Sequence, residues 1–193
     1  MENNLISLFS ARGALIKDRT RLINRLQTQT LALVKRQTKS RIDQLARQLK
    51  ALQYDINARL QDCPSRARAN SILRSIPGVG EVAASTILIE MPEIGTLRRK
   101  KAASLTGLAP MTQQSGKWRG KARIQGGRKP LRDALYMPAL VATKHNPDMR
   151  DKYNAMINQG KPKKVALTAI MRKLIEIANA LVKADREWLP NRT

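Results

Sequence analysis

The sequence predicts a mainly α-helical protein, in which an N-terminal helical coiled-coil stalk precedes a compact helical domain containing a helix-hairpin-helix. From about Leu5 to Leu60 there is no proline, and Gly13 is the single glycine. A helix-breaking Pro-Gly-Val-Gly segment at 77–80 separates two helical stretches. No strong pair of strands is recognisable along the chain. These observations divide the chain into a coiled-coil region, 1–63, and a compact domain, 64–193.

The stalk is predicted from a heptad pattern of apolar residues. The intervals in this pattern alternate between three and four residues, as in an a/d seam, through Ile42, Leu45, Leu49, Leu52 and Ile56. A polar stretch at 35–39 is predicted to bend the region into two helices. The pattern is compatible with an intramolecular helical hairpin, a dimeric coiled coil, or an ordinary helix pair packed on its own domain.

The helix-hairpin-helix is predicted at residues 72–90. Gly78 and Gly80 carry no side chain that would obstruct a ligand. The apolar side chain of Val79, between them, is predicted to be buried in the core and to anchor the hairpin there. The free N–H groups at the start of the second helix can bind a phosphate oxygen. Such a contact binds the phosphate backbone of DNA and does not discriminate between base sequences. The alternative is a plain structural turn, because Pro-Gly pairs are frequent in turns.

Further along the chain, glycines interrupt the helical pattern at 108–130, which is predicted as a loop or short hairpin. Pro130 suits the first turn of the next helix, and a short helix is expected at about 148–158. The last helix has an apolar stripe formed by Leu167, Ile170, Leu174, Ile177 and Leu181.

The charge of the chain indicates a polyanionic partner. The 193 residues include 37 Lys and Arg against 14 Asp and Glu, a net charge of +23. Nucleic acid is favoured over an anionic membrane, because membrane-surface helices are usually rich in Trp and Phe and this chain has one Phe. No apolar run approaches the roughly 20 residues that span a bilayer. A single cysteine, Cys63, allows no intrachain disulfide and fits the cytoplasm, with a nucleoid association expected.

A long window without acidic residues indicates a phosphate-binding track. Eleven cationic residues and no acid lie between Glu93 and Asp133, whereas solvated surfaces usually mix both signs. Trp118 in this window could stack on a base, although a core or rim aromatic is equally compatible. The predicted nucleic-acid contacts, besides Gly78 and Gly80, are Lys117, Trp118, Arg119, Lys121, Arg123, Arg128, Lys129 and Arg132.

Ser115 is the candidate nucleophile. It precedes a glycine in a basic loop, where it could approach a phosphodiester while nearby cations stabilise the charge that develops on phosphorus. Taken alone, a Ser-Gly pair is more typical of a turn. His145, the only histidine, is interpreted as structural. No convergent set of carboxylates predicts a metal site.

Six blocks of sequence follow one another in a characteristic order: Leu73–Gly80, Ala103–Pro110, Gln114–Lys117, Gly126–Arg132, Gly160–Lys164 and Arg172–Leu174. Together they resemble the C-terminal domain of the RuvC-like DEDD transposases, the bridge-RNA-guided recombinases of bacterial insertion sequences, which are related to the pilin-gene inverting recombinases. The resemblance covers about residues 65–183. The preceding helical stretch is similar to the family's coiled-coil region.

The resemblance implies that Ser115 attacks DNA and is joined to it transiently. It also implies that the basic residues around Ser115 line DNA, and it allows a guide RNA as a second partner. The family's metal-binding half is an N-terminal RuvC-like domain with four acidic residues, which this sequence does not show. No cofactor is therefore expected in this chain, and Mg²⁺ is expected only with a RuvC-like domain or full-length transposase acting in trans.

Three functions remain open from the sequence. The first is a transposase or recombinase subunit or fragment, which is not expected to be active without a RuvC-like half supplied separately. The second is a non-enzymatic nucleic-acid-binding remnant, or a regulator that joins the oligomer of the full-length transposase through the coiled coil. The third is a structural RNA-binding protein of ribosomal type, which the charge allows and the ordered blocks disfavour.

Overall fold

The computed structural model describes residues 2–112, 114–115, 118–120 and 122–190, and for 2, 3, 114, 115, 118 and 119 it describes the backbone alone. This described part contains eight helices and four two-residue strands, which confirms the mainly α-helical prediction. Contacts divide the chain into two compact units, Met1–Cys63 and Pro64–Thr193. The helices are α1 Glu2–Thr28, α2 Ala32–Gln61, α3 Pro64–Ser75, α4 Glu81–Glu90, α5 Arg99–Leu105, α6 Lys129–His145, α7 Pro147–Asn158 and α8 Lys163–Lys183.

The first unit is a pair of helices, α1 and α2, that pack against each other. The predicted bend at 35–39 is wrong, because α2 runs without interruption from Ala32 to Gln61. The helices separate at 29–31 instead. Residues 35–39 are polar but consist mainly of Lys, Arg and Gln, which favour helix. Thr28 ends α1 and Thr30 lies within the break, and threonine is a weaker helix former. The Thr28 hydroxyl donates to the carbonyl of Arg25 at 3.0 Å.

The predicted seam of α2 faces inward along its length. Ile42, Leu45, Leu49 and Leu52 are half-buried, and Ile56 is completely buried. A pair of helices covers each apolar stripe from one side only, which accounts for the partial exposure of most of these side chains.

The core of the second unit is built around α8, which packs against α3, α5, α6 and α7. Its stripe follows the predicted period, with four of the five side chains buried and Ile177 half-buried at the margin of the core. Helix α6 carries Pro138 inside its span, and this residue is buried. Val79, in the turn between α3 and α4, is 5% exposed and belongs to the same core, as predicted.

The segment between α5 and α6 contains the strands. These are β1 Pro110–Met111, β2 Gln114–Ser115, β3 Trp118–Arg119 and β4 Arg123–Ile124. Strand β1 pairs with β4, and β2 pairs with β3, in both cases antiparallel. The predicted basic loop is therefore a hairpin, which we name the Ser115 hairpin and define as residues 108–128.

Candidate nucleic-acid interface

The turn between α3 and α4 gives its two glycines different surroundings. Gly78 has a φ of +98°, and a Cβ atom added there would lie 2.6 Å from the carbonyl oxygen of Pro138 in α6. Gly80 is exposed, and a Cβ atom added there would meet nothing within 4 Å. The missing side chain of Gly78 thus permits close packing against α6, and its predicted contact with nucleic acid stays a prediction.

Gly80 is the N-cap residue of α4, which begins without a side-chain cap. The first N–H groups of a helix have no partner within that helix, so they are available to an acceptor from outside. The structure therefore leaves Gly80 in a position where a phosphate oxygen could approach the backbone. Phosphate binding at this turn stays a prediction.

The Ser115 hairpin consists of two short ladders with an offset between them. Ser115 pairs with Trp118 near the tip, and Pro110 pairs with Ile124 near the base. Two residues, 112 and 113, separate the ladders on one strand, and three residues, 120 to 122, separate them on the other. The pairing register therefore differs by one residue between the two ladders.

The base of the hairpin is anchored to the end of α5 by close backbone contact. A Cβ atom added at Gly107 would lie 2.2 Å from the carbonyl oxygen of Gly126, and one at Gly127 would lie 2.1 Å from the nitrogen of Gly107. The backbone N–H of Arg128 donates to the carbonyl of Leu105 at 2.8 Å. Arg132 donates from its guanidinium to the Gly126 carbonyl at 2.7 Å. These contacts fix both ends of the hairpin against the helical core.

Arg128 also holds the hairpin base through its side chain. Its guanidinium donates to both carboxylate oxygens of Glu93, at 2.6 and 3.1 Å, and to the carbonyl of Glu90. The hydrogen bond from Arg128 is the largest influence on Glu93 and holds the pKa of that carboxyl below its usual range. Arg128 was predicted as a nucleic-acid contact, but its guanidinium is engaged with the segment that follows α4.

The pair of Glu93 and Arg128 should make stability depend on pH. Because the folded protein holds the Glu93 proton less tightly than the unfolded chain, the pair stabilises the fold at neutral pH. That contribution is lost as the pH falls below about 4.3, the ordinary Glu value, and through the lowered pKa. We expect Glu93→Gln to cost roughly 0.5–1 kcal/mol near pH 7, since both side chains are about one-third exposed.

Urea unfolding of the wild type and Glu93→Gln, followed by circular dichroism across this pH range, measures the effect. The difference in free energy between the two proteins should shrink on acidification. A difference that stays constant with pH would contradict a contribution from the Glu93 carboxylate. Glu187→Gln is a suitable comparison, because Glu187 accepts from Arg68 at a surface remote in sequence from the hairpin.

The window without acidic residues is partly neutralised by carboxylates from elsewhere in the chain. Arg99 donates to Glu176 of α8 at 2.6 Å, and Arg172 donates to the same carboxylate at 2.9 Å. Burial alone would raise the pKa of Glu176, but the two arginines outweigh it and hold the pKa below its usual range. Linear charge patterning could not find this triad, because 77 residues separate Arg99 from Glu176.

The other predicted contact residues fall into three groups. Lys129 pairs with Asp133 one helical turn away, and Arg132 contacts the hairpin base as described. Arg123 lies in β4 and is exposed. Lys117 and Lys121 lie outside the described residues, and so do the side chains of the remaining two contacts, Trp118 and Arg119. The side chain of Ser115, the predicted nucleophile, also lies outside them.

A groove that sequence reasoning missed lies where β4, α6 and α8 meet. Its volume is about 460 Å³. Four of its lining residues are spaced along one face of α8, but α6 and β4 supply the other four, so no local pattern reveals the groove. The lining residues are Ile124, Arg132, Asp133, Tyr136, Lys164, Leu167, Thr168 and Met171.

Within the described ranges, no group of three or more His, Cys, Asp or Glu side chains is arranged to hold a metal ion. Over the same residues, no helix has the length and apolar character needed to cross a membrane. His145 is exposed in the last turn of α6.

Comparison with known proteins places these features in context. Residues 70–154 match the family described as Transposase IS116/IS110/IS902. This range includes the α3–α4 turn, the Ser115 hairpin and α6.

Two kinds of curated relatives are similar over most of this chain. The pilin gene-inverting protein of Moraxella bovis is 32% identical over 178 residues, which are 90% of this chain and 54% of the relative. An uncharacterized 43.6 kDa protein of insertion element IS110 from Streptomyces coelicolor is 31% identical over 159 residues, 81% of this chain and 38% of the relative. The chain thus spans about half or less of the length of these relatives. Over residues 70–154, it is similar to the transposase domain of the IS116/IS110/IS902 family.

Proposed function

We propose that this chain is a DNA-binding part of a transposase or site-specific recombinase of an insertion sequence, and that Ser115 is the nucleophile of DNA strand transfer. The observation that carries the proposal is the placement of Ser115 in a hairpin whose base is fastened to the core. The match of residues 70–154 to a transposase family and the net charge of +23 support DNA as the substrate.

In the proposed reaction, the Ser115 hydroxyl oxygen attacks the phosphorus of a phosphodiester. A bond forms between serine and phosphorus, one bridging ester oxygen leaves as a hydroxyl after taking up a proton, and the chain is joined transiently to DNA. Attack of the resulting ester by a second DNA hydroxyl then restores Ser115. A nucleophile must be held close to the reacting atom with its angle of approach controlled, which a fastened hairpin does better than a free loop.

A Mg²⁺ site would come from a RuvC-like domain outside residues 1–193, on a full-length transposase acting in trans. Self-association through 1–63 and the binding of a guide RNA belong to the same proposal.

Ser115→Ala tests the catalytic role. We expect this variant to form no SDS-resistant protein–DNA adduct when it is mixed with DNA and a full-length relative, because the alanine methyl group has no oxygen to attack phosphorus. Binding of DNA in a gel-shift experiment should be unchanged.

Thr112→Ala is the matched control, since it removes a hydroxyl from an exposed position of the same hairpin. It should retain the adduct. If Ser115→Ala still forms the adduct, Ser115 is not the nucleophile, and a non-enzymatic DNA binder or regulator becomes the better interpretation.

A further inference from the structure

The groove between β4, α6 and α8 combines an apolar floor with a charged rim. Leu167 and Met171 are 8% and 5% exposed, so they form a floor that water reaches little. Tyr136 lines the same groove and is 49% exposed, which leaves much of its ring available to a ligand. A volume of about 460 Å³ lies within the range of small-ligand sites.

The rim of the groove carries a positive charge. Lys164 and Arg132 both line it, and Lys164 is exposed. Arg132 uses one guanidinium nitrogen to hold Gly126 and has further N–H groups for another acceptor. Asp133 is the one acid of the lining, and Lys129 pairs with it. An apolar, aromatic cleft with two cations at its edge matches a flat aromatic ligand attached to a phosphate.

We propose that this groove binds an unpaired nucleobase of a single-stranded nucleic acid, with Tyr136 stacking on the base and Lys164 contacting a neighbouring phosphate. The proposal rests on the nucleic-acid-binding function proposed above and assigns part of that function to a second site. A base within a duplex has its faces covered by its neighbours, so an unpaired base is required.

The position of the groove connects it to the Ser115 hairpin. Ile124 lies in β4, which pairs with β1 at the hairpin base, and Arg132 bonds to Gly126 of the same base. A strand that contacts the hairpin would therefore reach the groove where it leaves the base of the hairpin. A base held there would set the register of that strand.

Tyr136→Leu tests stacking, because it keeps an apolar side chain and removes the ring. The probes are a fluorescein-labelled single strand of about ten nucleotides and the matching duplex, followed by anisotropy. We expect Tyr136→Leu to weaken single-strand binding by about tenfold and to change duplex binding by less than about twofold. Tyr136→Phe should bind both probes like the wild type.

Met137→Leu is the control on the same helix, since Met137 is exposed but does not line the groove. It should change neither affinity. Equal melting temperatures for all variants would exclude loss of fold as the cause. Equal effects of Tyr136→Leu on both probes, or no effect on either, would overturn the proposal.

Lys164→Gln tests the phosphate contact independently. For a single strand, each contacted phosphate contributes about 0.7 to the slope of log affinity against log salt concentration. We expect this slope to fall by about that amount in Lys164→Gln, whereas Lys144→Gln, outside the groove, should leave it unchanged. An unchanged slope in Lys164→Gln would contradict the contact.

Two further probes test which nucleic acid binds in the groove and whether a base is needed for binding. Deoxyribose and ribose strands of the same sequence distinguish DNA from RNA, and a preference for either supports the proposal. A strand with abasic sites throughout should bind about tenfold more weakly than the intact strand. Equal binding of the abasic strand would overturn base recognition and favour a protein side chain as the occupant. If the wild type binds no nucleic acid at all, the proposed function itself fails.

Discussion

Gly107→Ala is expected to detach the base of the Ser115 hairpin and to cost about 2–5 kcal/mol of stability. Gly107 has a φ of +67°, and an added Cβ atom would lie 2.2 Å from the Gly126 carbonyl oxygen and 2.4 Å from a guanidinium nitrogen of Arg132. The carbonyl cannot simply retreat, because Gly127 is itself packed against the Gly107 backbone. Both the backbone conformation and the close contact therefore oppose the substitution.

Gly126→Ala is the matched control for this experiment. Gly126 has the same φ of +67°, but a Cβ atom added there would meet nothing within 4 Å. This variant should lose about 1–2 kcal/mol of stability, because only the unfavourable backbone conformation opposes the new side chain. Urea unfolding measures both variants, and limited proteolysis within 108–128 reports local release of the hairpin. Equal losses for the two variants, with no faster cleavage in Gly107→Ala, would show that the contact does not fasten the hairpin.

Gly78→Ala is expected to be similarly destabilising, by about 2–5 kcal/mol. Its φ is +98°, and the new methyl group would lie 2.6 Å from the Pro138 carbonyl oxygen and 3.1 Å from the Ala142 nitrogen. These two atoms belong to the backbone of α6, so the turn between α3 and α4 would have to move away from that helix. Thermal and urea unfolding of the purified variant measure the loss.

Gly80→Ala separates packing from ligand access in the same turn. Its φ is −84° and the space around it is open, so we expect a change within about 0.5 kcal/mol. A stable Gly80→Glu variant should then bind unrelated duplex sequences more weakly and to about the same extent, because a carboxylate at the start of α4 would repel phosphate. A loss confined to one sequence would contradict the phosphate interpretation, and a large loss of stability in Gly80→Ala would contradict the open geometry.

The elements of this fold are largely local properties of the sequence. The stripe of α8 from Leu167 to Leu181 repeats with the period of a helix, and most of it is buried. The break before α4 follows from Pro77 and Gly78, and the hairpin from the loss of periodicity after Gly107. The sequence predicts the bend of the first unit at 35–39, but the polar residues there are compatible with a helix. The helices separate at 29–31 instead, beside the weaker helix formers Thr28 and Thr30.

The roles of individual site residues were less accessible to sequence reasoning. Arg128 is a predicted nucleic-acid contact, and only the structure shows that its guanidinium binds Glu93 at 2.6 Å. Arg99 belonged to a window without acids, and it pairs with Glu176 in another helix. Whether a cationic side chain forms an ion pair depends on which carboxylate the fold places beside it. Glu93 lies 35 residues from Arg128 in the sequence, and Glu176 lies 77 residues from Arg99.

The helical content of the chain, its strong positive charge, and its glycine turns at the α3–α4 junction and around the Ser115 hairpin can all be predicted from the sequence. These properties depend on neighbours within a few residues, since helix periodicity, turn formation and net charge are local or additive. Three features depend on the folded chain: Gly78 packs on α6, Gly107 and Gly127 anchor the base of the hairpin, and Tyr136 lines the same groove as Lys164. Each of these is a contact between distant segments, and close packing of the core determines which surfaces meet.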